Sequence, residues 1–268
     1  MRDISTAPAT GSDRGTSVRR RAGPDRSTPP SDAHPLLAAH GGELTVQHLG
    51  TVAYEPAWEL QDELAQQRRE RRIGDRLLLL EHFPVYTIGR GGNQANLLAS
   101  PERLRQLGAA FYRIDRGGDV TFHGPGQIVA YPIVELRDPL DLRRYVRALE
   151  VAVMATLRAF GVAAERIDGL PGVWVEGRKI AAIGVRVRRA VTTHGLALNV
   201  ATDLRWYEEM IPCGIPDREV TSLVGELRKP VATDDVADRL AAELAAALGL
   251  RLEGALPDIV GPAGGREQ

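Results

Sequence analysis

The stretch GVWVEGRKIAAIGVRV, residues 172–187, decides the fold. Two runs rich in Val and Ile flank Glu176-Gly177, a pair suited to a tight reversal, so the segment predicts an antiparallel hairpin. THGLALNV (193–200) follows as a further strand. Upstream, three strand-like pieces at 111–115, 119–123 and 127–136 are separated by glycine-rich turns. Earlier strands are predicted at 43–50, 76–82 and 85–88, and Leu77 to Leu80 read as a buried run. Helical spacing is confined to a few segments. One covers 54–73, with Ala57, Leu60 and Leu64 on a face and Arg68, Arg69, Arg71 and Arg72 before Gly74. A short one begins at Pro101. A long one spans 140–160, where Leu142, Tyr145, Leu149, Val153, Thr156 and Phe160 share a face. The last, 233–248, carries Val236, Leu240, Leu244 and Leu248. Strands in hairpin-like groups with few, unevenly placed helices predict an α+β fold with a mixed or antiparallel sheet and flanking helices, not a βαβ repeat.

A single catalytic domain is expected over 43–250. Residues 1–42 hold no Phe, Trp or Tyr and are rich in Ser, Thr, Pro, Gly and Arg, so a disordered extension is expected there. Residues 251–268 are expected to form a flexible tail. A net charge of −1 gives no global electrostatic case for nucleic acid or an anionic membrane. No apolar run reaches the ~18 residues of a membrane-spanning helix. The single cysteine, Cys213, excludes an internal disulfide and any multi-cysteine metal site, and fits a reducing cytoplasm.

Cys213 and Lys179 stand out. Cys213 sits in Ile-Pro-Cys-Gly-Ile, where Pro212 and Gly214 argue for a stiff irregular loop. Such a thiol is either a small buried hydrophobe or a reachable nucleophile. Of the 34 Lys and Arg residues only Lys179 and Lys229 are lysine. Lys179 follows the hairpin turn and precedes Ile180, Ala181, Ala182 and Ile183, so its strand enters the core. An amine can exchange a proton where a guanidinium cannot, and a nearby ammonium favours a thiolate. Together the two residues suggest an activated nucleophile and its partner.

RIDRGGDVTFHGPGQIVAYPI (113–133) has neither a P-loop nor a dinucleotide glycine pattern. Its glycines at 117, 118, 124 and 126 let a ligand approach the backbone closely. EHFPVYTIGRGGN (81–93) and THGLALNV add His82, Arg90 and His194 as further candidates. His82, His123 and His194 lack metal-ligand spacing, so no metal is expected.

These blocks identify the chain as similar to the lipoyl (octanoyl) transferases: RGGDVTFHGPGQIVAYPI (116–133), the hairpin with THGLALNV (172–200), and IPCGI with VTSL (211–223). The resemblance extends from about 45 to 248. It implies a catalytic domain like those of biotin and lipoate protein ligases. It also implies transfer of octanoyl from acyl carrier protein to the lysine of lipoyl domains, through an acyl-thioester on Cys213, with Lys179 lowering the thiol's pKa. The acceptors it implies are the lipoyl domains of 2-oxoacid dehydrogenase E2 subunits and the H protein of glycine cleavage. No cofactor is implied, because the donor thioester is already activated. Substrate contacts map onto Arg116, Gly117, Gly118, Asp119, Val120, Thr121, Phe122 and His123, onto Ala182, Ile183 and Gly184, and onto Gly195, Leu196 and Ala197. Phe122 stands where many relatives have Tyr, and Phe83 where Pro is common. Two other readings fit the same residues: an ATP-dependent lipoate protein ligase, which needs the lysine but no nucleophilic cysteine, and a cysteine thioesterase.

Overall fold

A computed structural model describes residues 36–37, 41–138, 140–211 and 219–253. Eleven strands and five α-helices are assigned among them. In chain order they are β1 (Glu43–Val52), α1 (Tyr54–Arg69), β2 (Asp75–His82), β3 (Val85–Ile88), α2 (Pro101–Leu107), β4 (Ala110–Arg113), β5 (Val120–His123), β6 (Gln127–Ile133), α3 (Leu142–Ala159), β7 (Glu165–Ile167), β8 (Leu170–Val175), β9 (Arg178–Arg188), β10 (Val191–Asn199), α4 (Leu223–Leu227), α5 (Thr233–Leu248) and β11 (Arg251–Glu253). Eight strands form one sheet in the order β11-β1-β2-β6-β10-β9-β8-β7, and a small sheet runs β4-β3-β5. β1 lies parallel to β2 and β11, whereas β2, β6, β10, β9, β8 and β7 pair antiparallel in succession. The expected mixed α+β architecture is therefore present.

Alternation along the central strands sorts the core into two layers. Leu77, Leu79, Ile128, Ala130, Leu196 and Leu198 pack with α3 and α5 on one face. Leu78, Leu80, Val129, Tyr131 and Ala197 meet Ala57 of α1 on the other. The four consecutive leucines thus serve both faces of a strand covered on each side. The small sheet builds its own core from Tyr86, Ile88, Val120 and Phe122 with Leu104 and Met210. The β8–β9 hairpin turns at Glu176 and Gly177, both with positive φ (49° and 78°), as a two-residue hairpin turn requires.

The structure moves several expected boundaries. Helix α1 ends at Arg69 rather than 73, because Arg71 is already left-handed (φ 58°) and Glu70 closes the last turn on Gln66. Leu36 and Leu37, expected in the extension, are buried, and Leu37 bridges Leu136. These two apolar side chains join the main core. Arg251–Glu253, expected in the tail, form β11 beside β1. Strands β7 and β11 are three residues long, too short for any periodic signal.

Leu198 is fully buried at the centre of the large sheet. Leu198→Ala is expected to cost ~2–5 kcal/mol, measured as a lower urea midpoint with unchanged slope.

Candidate active site

Lys179 reaches its place through a fault in the sheet. Val175 pairs with Arg178 and Trp174 with Lys179, but Val173 pairs with Ala181, so Ile180 is an extra residue in β9. Strict alternation would put Lys179 on the face of Ala181, toward α3 and α5. The bulge reverses the phase, and Lys179 and Ala182 share the opposite face. Lys179 is buried, with Nζ 3.3 Å from the Pro171 carbonyl and 4.6 Å from the centre of the Trp174 ring. Its backbone N–H donates to Glu219 and its carbonyl accepts from Thr221.

Lys179 lines a cavity of about 510 Å³. Of the residues anticipated from sequence, Arg116, Gly117, Gly118, Asp119, Val120, Thr121, His123, Ala182, Ile183, Gly184, His194, Gly195, Leu196 and Ala197 also line it. The walls are mostly apolar or glycine, with Leu142, Val146, Leu170 and Pro171 beside Lys179's strand. The loop Arg116–Asp119 lies on the sheet: Gly117 N–H donates to the Val185 carbonyl at 2.9 Å. That approach needs glycine below it, since a Cβ on Gly184 would lie 2.8 Å from Arg116 Cδ and 3.0 Å from the Gly117 oxygen. Gly184 is paired across the strands with Gly195. The Arg116 guanidinium is itself buried and donates to the carbonyls of Thr87, Gly117 and Asp119.

Asp115 clasps this loop from the side. Its carboxylate meets Arg186 Nη1 at 2.6 Å and His194 Nε2 at 3.2 Å. The His194 hydrogen bond, reinforced by Arg186 and Arg90, holds the Asp115 pKa below the usual range. His194 has φ 56°, a left-handed backbone inside a strand. It falls opposite Pro132, between the Leu196–Ala130 pair and the Val191–Glu135 bridge. Proline has no N–H to continue the ladder. The His194 N–H also leaves the ladder and donates to Gln61 Oε1 at 2.7 Å, while the Pro132 carbonyl accepts from Thr192 Oγ1.

Two more histidines are held neutral. His82 Nδ1 contacts the Val52 carbonyl, so Nδ1 carries the proton and Nε2 accepts from Tyr131 OH at 2.9 Å. Burial lowers its pKa to about 4. Gln127 Nε2 donates to the Phe122 carbonyl, leaving its oxygen toward His123, whose Nδ1 must then be the donor at 2.8 Å. Burial pushes the His123 pKa down, and His82 adds to the shift. Gln127 also reaches Asn199, whose amide donates to the Thr221 carbonyl, so a buried polar chain links His123 to the strand-like segment beside Lys179.

Some anticipated residues take other places. Phe122 points away from the cavity, stacked on Trp206 at 5.0 Å in the small sheet's core, because it alternates with Thr121 and His123. His82 stands behind Tyr131 rather than on the wall. Arg90 is exposed, 3.9 Å from Asp115. Cys213 lies outside the described residues. Its flanks do not: Met210 and Val220 line a small cleft together with Lys179, Thr121 and Ala182. Among the described residues no group of three His, Cys, Asp or Glu could hold a metal, and no helix is long and apolar enough to cross a membrane. The sequence reading missed Tyr54, Tyr131, Asp115 and Pro171. Tyr54 and Tyr131 carry no local pattern that separates them from core aromatics. Asp115 adjoins the glycine motif and was the one of these with a local signal.

The fold and site define a catalytic domain of the lipoate-ligase class. The family model described as Lipoyl protein ligase A/B catalytic domain matches residues 53–245. The fold is shared with lipoate-protein ligase A bound with ATP, at TM-score 0.62 and 18% identity over 79% of this chain and 87% of that one. A bipartite lipoate protein ligase from Thermoplasma acidophilum gives 0.61 and 19% over 80% and 86%. Within that class, the octanoyltransferase of Chloroflexus aggregans is 51% identical over 80% of this chain and 98% of its own length. That of Corynebacterium efficiens is 45% identical over 81% and 86%. The chain belongs to the octanoyltransferase family and is an acyltransferase.

A depressed histidine pKa makes stability fall with pH. Below pH ~6.5 the unfolded His82 binds a proton that the folded one refuses until pH ~4, so folding weakens across that window. His82 alone should remove about 2 kcal/mol between pH 7 and pH 5. Urea denaturation at the two pH values checks this, and His82→Gln should shrink the loss by that amount.

Proposed function

We propose that this acyltransferase moves an octanoyl group from acyl carrier protein to the target lysine of lipoyl domains through a thioester on Cys213. The acceptors are the lipoyl domains of 2-oxoacid dehydrogenase E2 subunits and the glycine cleavage H protein, and neither nucleotide nor metal takes part. One observation carries the reading. The only lysine of the large sheet is buried on the wall of a mostly apolar cavity, in a cleft with the residues on either side of the Cys213 segment.

The donor thioester enters the cavity with its chain along Ala182, Gly184 and Ala197. The Cys213 thiolate attacks the carbonyl carbon. The tetrahedral intermediate collapses with cleavage of the bond to the phosphopantetheine sulfur, which leaves as a thiol with the proton of Lys179. In the second half the neutral amine of the acceptor lysine attacks the acyl-enzyme. A C–N bond forms, the C–S bond to Cys213 breaks, and the amine's proton passes through Lys179 to restore the starting state. Thioester-to-amide transfer is downhill, so no activation by ATP is required.

Incubation with octanoyl-carrier protein, without nucleotide, is expected to add the mass of one octanoyl group to Cys213. The adduct should discharge onto an added lipoyl domain. Absence of that adduct overturns the reading, and discharge at the same rate without a lipoyl domain identifies a thioesterase. Cys213→Ala should abolish transfer. Lys179→Arg keeps the charge but cannot exchange the proton, and should lose most turnover.

A further inference from the structure

Helix α3 buries one acidic side chain in an otherwise apolar face. Glu150 is 1% exposed, between Leu149 and the packed residues Ala152 and Val153. Its Oε2 accepts from Arg147 Nη1 at 2.7 Å, an arginine that is 37% exposed. Its Oε1 accepts from the backbone N–H of Gly172 at 3.1 Å. A buried carboxylate is costly unless it satisfies something specific. Here that is the backbone directly under Lys179.

Gly172 has φ 123°, and a Cβ there would lie 2.6 Å from the Ala181 oxygen and 3.4 Å from Lys179 Cε. The chain therefore turns sharply against the lysine's stem. The preceding residue, Pro171, presents the carbonyl that accepts Lys179 Nζ, and Trp174, two residues on, supplies the ring beneath it. Residues 171–174 form the seat of the Lys179 amine, and opposite them β9 carries the bulge at Ile180. The main-chain N–H of that seat is tied to α3 by Glu150 alone among the described contacts of Gly172.

We propose that Glu150 is a positioning residue for Lys179: by holding Gly172 it fixes the Pro171 carbonyl and the Trp174 ring, and so sets the place and the reactivity of the Lys179 amine. The proposal rests on the role given to Lys179 above. A carboxamide at 150 keeps an oxygen for Gly172, whereas a methyl group does not.

The test compares Glu150→Gln and Glu150→Ala with wild type in the full-length enzyme. Steady-state transfer is measured, and so is the rate of Lys179 modification by an amine-acylating reagent as a function of pH. The chain has two lysines, so peptide mass mapping assigns the modified one. Glu150→Ala should lower kcat on the order of 10- to 100-fold, as a sub-ångström to ångström misplacement does. KM for the acyl donor should stay within about twofold, since Glu150 is not among the residues that line the cavity. The Lys179 modification profile should shift along the pH axis. Glu150→Gln should restore kcat to within a few-fold and return the profile. If Glu150→Ala leaves the Lys179 profile in place, or Glu150→Gln behaves like Glu150→Ala, the proposal is overturned. Should Glu150→Ala not fold, the same two readouts on Glu150→Gln and on Glu150→Met, which fills the volume without an acceptor for Gly172, decide it: the first near wild type and the second impaired with a shifted Lys179 profile support it, and a Lys179 profile left in place by Glu150→Met overturns it. Failure of the Lys179 role itself is separate, since Lys179→Arg would then turn over normally.

Discussion

Because Ile180 is an extra residue in β9, Lys179 and Ala182 lie on one face of the sheet although they are three apart in sequence. That phase reversal is the constraint on which the site depends. Without it the amine would point toward α3 and α5, away from the Pro171 carbonyl and the Trp174 ring that now receive it. With it, the core side of β9 is filled by Ile180 and Ala181 in succession, and the opposite side opens as Lys179, Ala182 and Gly184. The backbone of Lys179 also bonds to Glu219 and Thr221, so these residues beyond Cys213 are seated beside the lysine by main-chain hydrogen bonds.

Around this seat the protein spends its buried polar groups on orientation. His82, His123 and His194 each have one ring nitrogen committed as a donor, to a carbonyl, an amide oxygen and a carboxylate. Burial keeps all three low in pKa, so they hold fixed tautomers near neutral pH. Asp115 joins two of the functional strands through Arg186 and His194 while it anchors the glycine loop. The left-handed backbone at His194 and the proline opposite it interrupt the ladder where the imidazole must tilt toward Asp115. Such a strained point persists because Gln61 and Thr192 satisfy the groups it strands.

Much of this was legible in the residues. The hairpin at 172–187, the buried leucines of β2 and the helices α3 and α5 follow from periodicity, because one face of each is apolar at the spacing its geometry demands. The glycine-rich motif was recognisable as a surface that approaches a ligand, and seven of the eight residues from Arg116 to His123 line the cavity. Phe122 was not separable from its neighbours, since a motif read as a block ignores that strand residues alternate. Leu36 and Leu37 escaped because composition averages over a window and two leucines do not change the average.

Sequence by itself determined which chemistry the chain can support: one thiol, one lysine in an apolar context, a glycine loop, and strands enough to build a sheet around them. These are local properties, fixed by side-chain type and by the backbone preferences of a few residues. Tertiary structure alone decided which way Lys179 points, that Glu150 reaches the backbone beneath it, and that Asp115 joins Arg186 to His194. Each of these depends on register between segments distant in sequence, and a shift of a single residue in a strand sends a side chain to the other face of the sheet.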